Sequence, residues 1–188
     1  PVTNEIGTIY RRFFNLAQDY VEGVDFEVTY RAEPNFFDDQ EESFNIRMLG
    51  GYLIAREATA SNGTQTDLMG GYSLPELTGN ITATYGLGPW SVQLQGRFVD
   101  SGKLQRTWTE GIEVDDNSVP SSTWWNGMLR YRGQLDSGAN WDVGLSVQNL
   151  FDRNPPIIPG GVAGAQGGLS GQYDSFGRRY NLSLNVQF

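Results

Sequence analysis

YDSFGRRYNLSLNVQF, residues 173–188, is the stretch whose reading decides the fold. From Tyr180 onward the residues alternate without a break: Tyr180, Leu182, Leu184, Val186 and Phe188 are apolar, while Asn181, Ser183, Asn185 and Gln187 are small and polar. Successive side chains of a strand point to opposite faces, so this is a ribbon with one apolar and one wet side. A soluble sandwich strand alternates in the same way. The chain ends on an aromatic residue with no polar tail after it, which favours a membrane wall over a soluble sheet.

Composition narrows the class. The 188 residues suffice for one domain and contain neither Cys nor His, which removes disulfides, thiolate metal sites and the commonest general base and metal ligand. No base–nucleophile pairing can be named, so an enzyme is not expected, nor is a cofactor or a metal site. A net charge of -9 argues against nucleic acid, whose binding rests on phosphate neutralisation by Lys and Arg. No apolar run approaches the roughly 18 residues of a membrane helix. A membrane β-barrel needs none, because its strands are apolar only at every second position.

Period-2 alternation recurs along the chain and predicts an all-β fold of about eight strands. The first, residues 7–15, alternates poorly. The second, 23–31, sets Val24, Phe26, Val28 and Tyr30 against Asp25, Glu27, Thr29 and Arg31. The third, 43–56, carries Phe44, Ile46, Met48, Tyr52 and Ile54 on its apolar face, and the fourth, 79–85, carries Ile81, Ala83 and Tyr85. The fifth follows the turn 86–89 with Trp90, Val92, Leu94 and Phe98. The sixth, 123–134, presents Trp125, Leu129 and Tyr131, and the seventh, 140–149, presents Trp141, Val143, Leu145 and Val147. The terminal strand is the eighth.

Connections 57–77, 101–122 and 152–172 are long, while 86–89 and 135–139 are short, so long and short loops fall on opposite rims of an up-and-down antiparallel sheet. Two links fit less well: 32–42 exceeds a tight turn, and 16–22 is short although it falls on the long-loop rim. This polarity places Trp90, Trp141, Tyr85 and Phe188 near the short-turn interface and Trp124, Trp125 and Tyr173 near the other, two aromatic belts at lipid–water boundaries.

Several motifs carry a resemblance. Ser175, Gly177, Tyr180, Leu182 and the terminal Phe188 match the assembly signal on the closing strand of bacterial outer-membrane barrels. Asn149-Leu150-Phe151-Asp152 after an alternating strand, followed by Pro155 and Pro156, resembles the segment before the final loop of TonB-dependent outer-membrane receptors. Gly23-Val24-Asp25-Phe26-Glu27, preceded by Asn15, resembles a strand opening of the same family, and Pro75, Asn80 and Tyr85 fit the spacing of a later strand. The order and spacing of these motifs cover nearly the whole chain, as the last third or so of a receptor barrel.

The resemblance implies active import of a scarce nutrient, such as an iron chelate (siderophore), cobalamin or a saccharide. It also implies a barrel of about 22 strands around an amino-terminal plug that binds TonB. Neither the plug nor a TonB box is recognisable here, so the chain reads as the carboxy-terminal barrel segment. Its implied partners are outer-membrane lipid, its own plug and upstream strands, TonB through that plug, and the barrel-assembly machinery. The polar face, with Asp25, Glu27, Arg47, Arg97, Arg130, Arg132 and Asp142, is expected to line the lumen and meet the plug. Ligand contact is expected instead in the outer loop 101–122, at Arg106, Trp108, Glu110 and Asp115, since loops carry variable function.

Two further motifs read as structural. The acidic run 38–42 lacks the glycine and ligand spacing of a calcium loop and reads as a solvated turn. The glycine-rich run 160–168 lacks the Lys-Ser/Thr of a phosphate cradle and reads as an outer loop. Two other readings of the chain stand beside the receptor segment. Eight strands suffice to close a small barrel with a structural or passive-pore role, and a soluble β-sandwich binding module would share the alternation.

Overall fold

The computed structural model describes residues 18–37, 39–60, 62–136, 138–158, 173–174 and 176–188. Ten strands form among the described residues: β1 (Gln18–Ala32), β2 (Glu42–Thr59), β3 (Gln65–Asp67), β4 (Leu77–Leu87), β5 (Trp90–Val99), β6 (Gly102–Lys103), β7 (Ser118–Val119), β8 (Ser122–Gln134), β9 (Asn140–Gln148) and β10 (Arg179–Gln187). The seven long ones make an antiparallel meander in the order β1-β2-β4-β5-β8-β9-β10, with β3 pairing β2 and with β6–β7 a separate ribbon. The expected strand at 7–15 lies outside the described residues. Among the described residues β1 and β10 do not pair, so the sheet is an open wall.

The register settles which residues share a face. Tyr30, Ile46, Ala83, Leu94, Gly127, Val147 and Tyr180 are successive cross-strand partners in one row across the sheet. The adjacent row, on the other face, is Arg31, Asn45, Thr84, Gln93, Met128, Ser146 and Asn181. One face is thus apolar and the other polar along the whole wall. The apolar face is uncovered: Leu182 is 74% and Leu184 69% exposed, and Val24, Val28, Tyr52 and Val92 are also exposed. A continuous apolar face of this extent is a surface for hydrocarbon, not for water.

Three aromatic rings lie on glycines directly across from them on that face. Phe26 covers Gly50, Trp125 covers Gly96 and Trp141 covers Gly133. A Cβ on Gly96 would fall 2.8 Å from the Trp125 ring, and one on Gly133 would fall 2.6 Å from that of Trp141. The missing side chain lets the ring lie flat and shield the bare strand, a pairing that also pins the register. At the short-turn rim Trp90, Tyr131 and Trp141 stack in series, with centroids 4.6 and 5.5 Å apart.

Two expectations are corrected. Residues 18–22 are strand rather than link, because β1 continues through a bulge. Glu22 pairs Ala55 while Gly23 pairs Leu53, which leaves Ile54 as the extra residue. Gly23 sits where the chains close in: a Cβ there would meet the Tyr52 carbonyl oxygen at 2.9 Å. The extra residue lies on β2, so β1 keeps its period; its alternation lapses in the sequence because Glu22 takes the parity of Val24 and Val21 that of Asp25, which makes 16–22 read as a loop.

The second correction concerns the outer aromatic belt. Trp125 lies on the apolar face, but Trp124 (4% exposed) and Tyr173 (7%) are buried on the other side. They meet edge to face, with centroids 5.7 Å apart. With Tyr72, Val99, Leu104, Val119 and Ile158 they form a small hydrophobic core under the long connections. Adjacent residues point to opposite faces, so Trp124 and Trp125 cannot both meet lipid.

Candidate functional site

Asp25, Glu27, Arg47, Arg97, Arg130, Arg132 and Asp142 all alternate onto the polar face, as the ladder requires. They do not converge on one point. Arg47 Nε and Glu27 Oε1 form an exposed pair at 2.8 Å. Arg130 Nε lies 3.8 Å from Asp142 Oδ2, while Asn185 Nδ2 donates to Asp142 Oδ1 at 3.3 Å. Arg132 is the direct cross-strand partner of Asp142. Amides and hydroxyls fill the intervals: Asn126 donates to Gln95 at 3.1 Å, and Gln93 donates to Thr84 at 3.3 Å. Asp25 and Arg97 make no ion pair among the described residues. Such a face suits water or a polar partner. Exposed pairs of this kind contribute at most about 1 kcal/mol each.

Loop 101–122 is a folded cap anchored to its neighbours. Arg106 Nη2 pairs with Asp67 Oδ2 at 2.7 Å, and its Nη1 donates to the Met69 carbonyl. Trp108 packs against the buried core. Glu110 Oε1 accepts the Asn117 N–H at 3.3 Å, and Asp115 is exposed near the loop tip. The four residues singled out from sequence therefore point to four places. Arg106 opens onto a polar hollow of about 350 Å³ that it shares with Lys103, Glu76 and Asp100.

The cap's own organiser is Asn117, 2% exposed amid a run of charged and polar residues, a setting that gave no hint of burial. Its Nδ2 donates to the carbonyls of Gln105 (2.9 Å) and Trp108 (3.0 Å), and its Oδ1 accepts the Gln105 N–H (3.1 Å). Asn117→Ala would strand these buried backbone groups. The cap should lose about 1–3 kcal/mol of local stability, read as faster limited proteolysis within 101–122 while the wall stays protected.

The turn 149–152 is a corner lock. Asn149 and Asp152 adopt positive φ, 51° and 54°, a conformation that Asn and Asp tolerate better than other side-chain-bearing residues. The Asn149 side chain, 1% exposed, donates to the Arg153 carbonyl (2.9 Å) and accepts the Arg153 N–H (2.8 Å). Its own N–H donates to Asn126 Oδ1 on β8 (3.0 Å). Asp152 Oδ1 accepts the Arg178 N–H (2.8 Å) beside Gly177, just ahead of β10. The motif therefore ties the end of β9 both to β8 and to the start of the terminal strand. Of the proposed assembly signal, Tyr180 and Leu182 lie on the apolar face, Phe188 is fully exposed, and Ser175 lies outside the described residues.

The acidic turn is also more organised than expected. Glu42 is buried: Oε1 accepts the N–H groups of Phe36 (2.7 Å) and Phe37 (2.8 Å), and Oε2 accepts the Tyr85 hydroxyl (2.5 Å). It holds the 33–41 turn against the start of β2. Asp38 and the glycine-rich run 160–168 lie outside the described residues.

An antiparallel meander with one apolar face, one polar face, and long and short connections on opposite rims is the wall of an outer-membrane β-barrel. Residues 2–150 match the protein family described as TonB dependent receptor-like, beta-barrel, and the chain belongs to that family. The family is one of outer-membrane transport. No curated protein matches the chain, and no solved structure does. The match ends at residue 150, yet β10 pairs β9 from Arg179 to Gln187 and so continues the same wall.

Proposed function

We propose that this chain forms the carboxy-terminal sector of the barrel of a TonB-dependent importer of a scarce nutrient, such as an iron chelate, cobalamin or a saccharide. Family membership, joined to a sheet whose two outer strands among the described residues remain unpaired with each other, carries the reading. The apolar face meets outer-membrane lipid. The polar face lines the lumen and meets a plug domain, through which TonB acts. Strand β10, with Tyr180 and Leu182, together with its flanking Gly177 and Phe188, is the segment that the barrel-assembly machinery engages. No observation favours the self-contained eight-stranded pore.

Ligand is read at the loop cap, where Arg106, Lys103, Glu76 and Asp100 surround the polar hollow. Trp108, Glu110 and Asp115 shape the cap around it. In the full-length receptor, uptake of the cognate nutrient should vanish when TonB is deleted or a protonophore is added. Replacing Arg106 and Lys103 together by alanine should weaken ligand binding about tenfold or more, equivalent to about 1.4 kcal/mol, with surface abundance unchanged. Uptake that persisted without TonB would refute the importer reading.

A further inference from the structure

The polar face contains a place where donors outnumber acceptors. Arg130 and Arg132 stand two residues apart on β8, about 6.5 Å along one face. With Thr84, Ser91, Gln93 and Met128 they line a hollow of about 280 Å³. Arg130 is flanked by Ser91 on β5 and by Gly144 on β9, so no side chain opposes it from the β9 side. Its Nε is buried and has no hydrogen-bond partner. The nearest carboxylate oxygen, Asp142 Oδ2, is 3.8 Å away, beyond hydrogen-bond reach.

The other Asp142 oxygen already accepts from Asn185. Arg132 makes no ion pair among the described residues, although it also faces a second hollow bearing Glu33, Glu41 and Glu42. Of these, Glu42 is committed to two backbone amides and a tyrosine hydroxyl. Arg130 thus has Asp142 near it only at 3.8 Å, Arg132 has Asp142 across the strand pair and Glu33 and Glu41 in the second hollow, and no carboxylate lines the hollow that the two guanidiniums share. The Ser91 hydroxyl, and the Thr84 hydroxyl that accepts from Gln93, lie within the same hollow.

We propose that Arg130 and Arg132 form an oxyanion-binding site on the lumen wall, taking a phosphate or carboxylate group. A neutral hydroxylic ligand would leave both guanidiniums without a charged partner inside this hollow, whereas an oxyanion bridging the two forks makes charge-assisted bonds to each. The group belongs either to a free solute or to an acidic side chain of the domain seated in the lumen. The proposal rests on the reading of this face as the lumen.

The test uses the full-length receptor in detergent, with inorganic phosphate as the probe in calorimetry. The variants are Arg130→Gln with Arg132→Gln, Gln93→Glu, and, as a control, Arg56→Gln, which removes a cation paired with Asp19 and outside both hollows. A heat-modifiable gel shift confirms that each is folded. For a free solute, the wild type and Arg56→Gln bind phosphate equally. The double variant loses at least tenfold in affinity, and Gln93→Glu, which supplies its own carboxylate, does the same. For a side chain of the seated domain, the wild type takes up no phosphate and the double variant releases that domain to trypsin at least tenfold faster. Equal phosphate binding by the wild type and the double variant overturns the site, as does no binding with unchanged domain release. TonB dependence of uptake, measured on the same variants in cells, separates failure of the site from failure of the importer reading.

Discussion

Leu184→Arg and Leu94→Arg should each lower the stability of the receptor in lipid vesicles by about 2–4 kcal/mol, the cost of a cation on the lipid face near the bilayer midplane. Each leucine lies on the apolar face, four residues along its strand from a rim aromatic, Phe188 for Leu184 and Trp90 for Leu94. Neither is packed under protein: Leu184 is 69% exposed, and Leu94 sits in the row between Ala83 and Gly127. No cavity is created by the substitution, so the effect measures lipid contact rather than packing. Asn181→Arg is the matched control. It lies on the same strand as Leu184 but on the polar face, and should change stability by about 0.5 kcal/mol or less. Urea titration of vesicle-folded protein, followed by tryptophan fluorescence, reads the difference. Equal stabilities for Leu184→Arg and Asn181→Arg would mean that the two faces are solvated alike, and the membrane reading would fall.

The wall was legible because lipid on one side and water on the other force a period of two, which survives in single residues. Val24 to Tyr30 and Tyr180 to Phe188 state their faces outright, and the ladder places them as the alternation required. Where alternation stops, legibility stops with it. Glu22 stands at an apolar-face position and Val21 at a polar-face one, so Gln18 to Glu22 lack the pattern while keeping the ladder past the β2 bulge at Ile54. Trp124 and Tyr173 are aromatic residues beside strand starts, and sequence cannot distinguish a ring at a lipid interface from one covered by a distant loop. Their cover comes from Tyr72, Leu104, Val119 and Ile158, residues far apart in the chain.

The loop site was the least legible part, because loops have no period to betray direction. Arg106 was singled out for its charge, and the structure turns part of that charge to holding the cap through Asp67. Asn117 was passed over because it stands beside Asp115 and Asp116, a context that reads as solvated, yet three backbone groups converge on its side chain. By contrast, the 149–152 motif could be placed from sequence as a family feature. Its physical basis, two left-handed residues that tie three strands together, emerges only from the hydrogen bonds.

The 188-residue chain, refolded alone in detergent micelles, should fail to give a closed monomeric barrel. Among the described residues strand β1 is bonded to β2 on one side and β10 to β9 on one side, and the two do not meet. β1 spans 15 residues and β10 nine, so each edge presents a row of backbone N–H and C=O groups. In hydrocarbon every unsatisfied group costs several kcal/mol, against a net stability of only about 5–15 kcal/mol for a whole domain. A handful of bare groups is therefore enough to forbid an open sheet in a bilayer. The edges must be covered by further strands of the receptor, by each other, or by a second copy pairing edge to edge. Mutual pairing would curl the seven long strands of the described residues into the narrowest of barrels, and the polar face carries Arg31, Arg47, Arg97, Arg130, Arg132 and Arg179, whose guanidiniums would crowd a lumen only wide enough for packed side chains. Coverage by further strands of a wider barrel leaves that face room for water and a folded domain. Expected of the isolated chain are aggregates or edge-paired oligomers, with no heat-modifiable monomer and no crosslink between cysteines placed at Val28 on β1 and Leu184 on β10. A monomeric, heat-modifiable species carrying that crosslink would instead establish a small self-closed barrel.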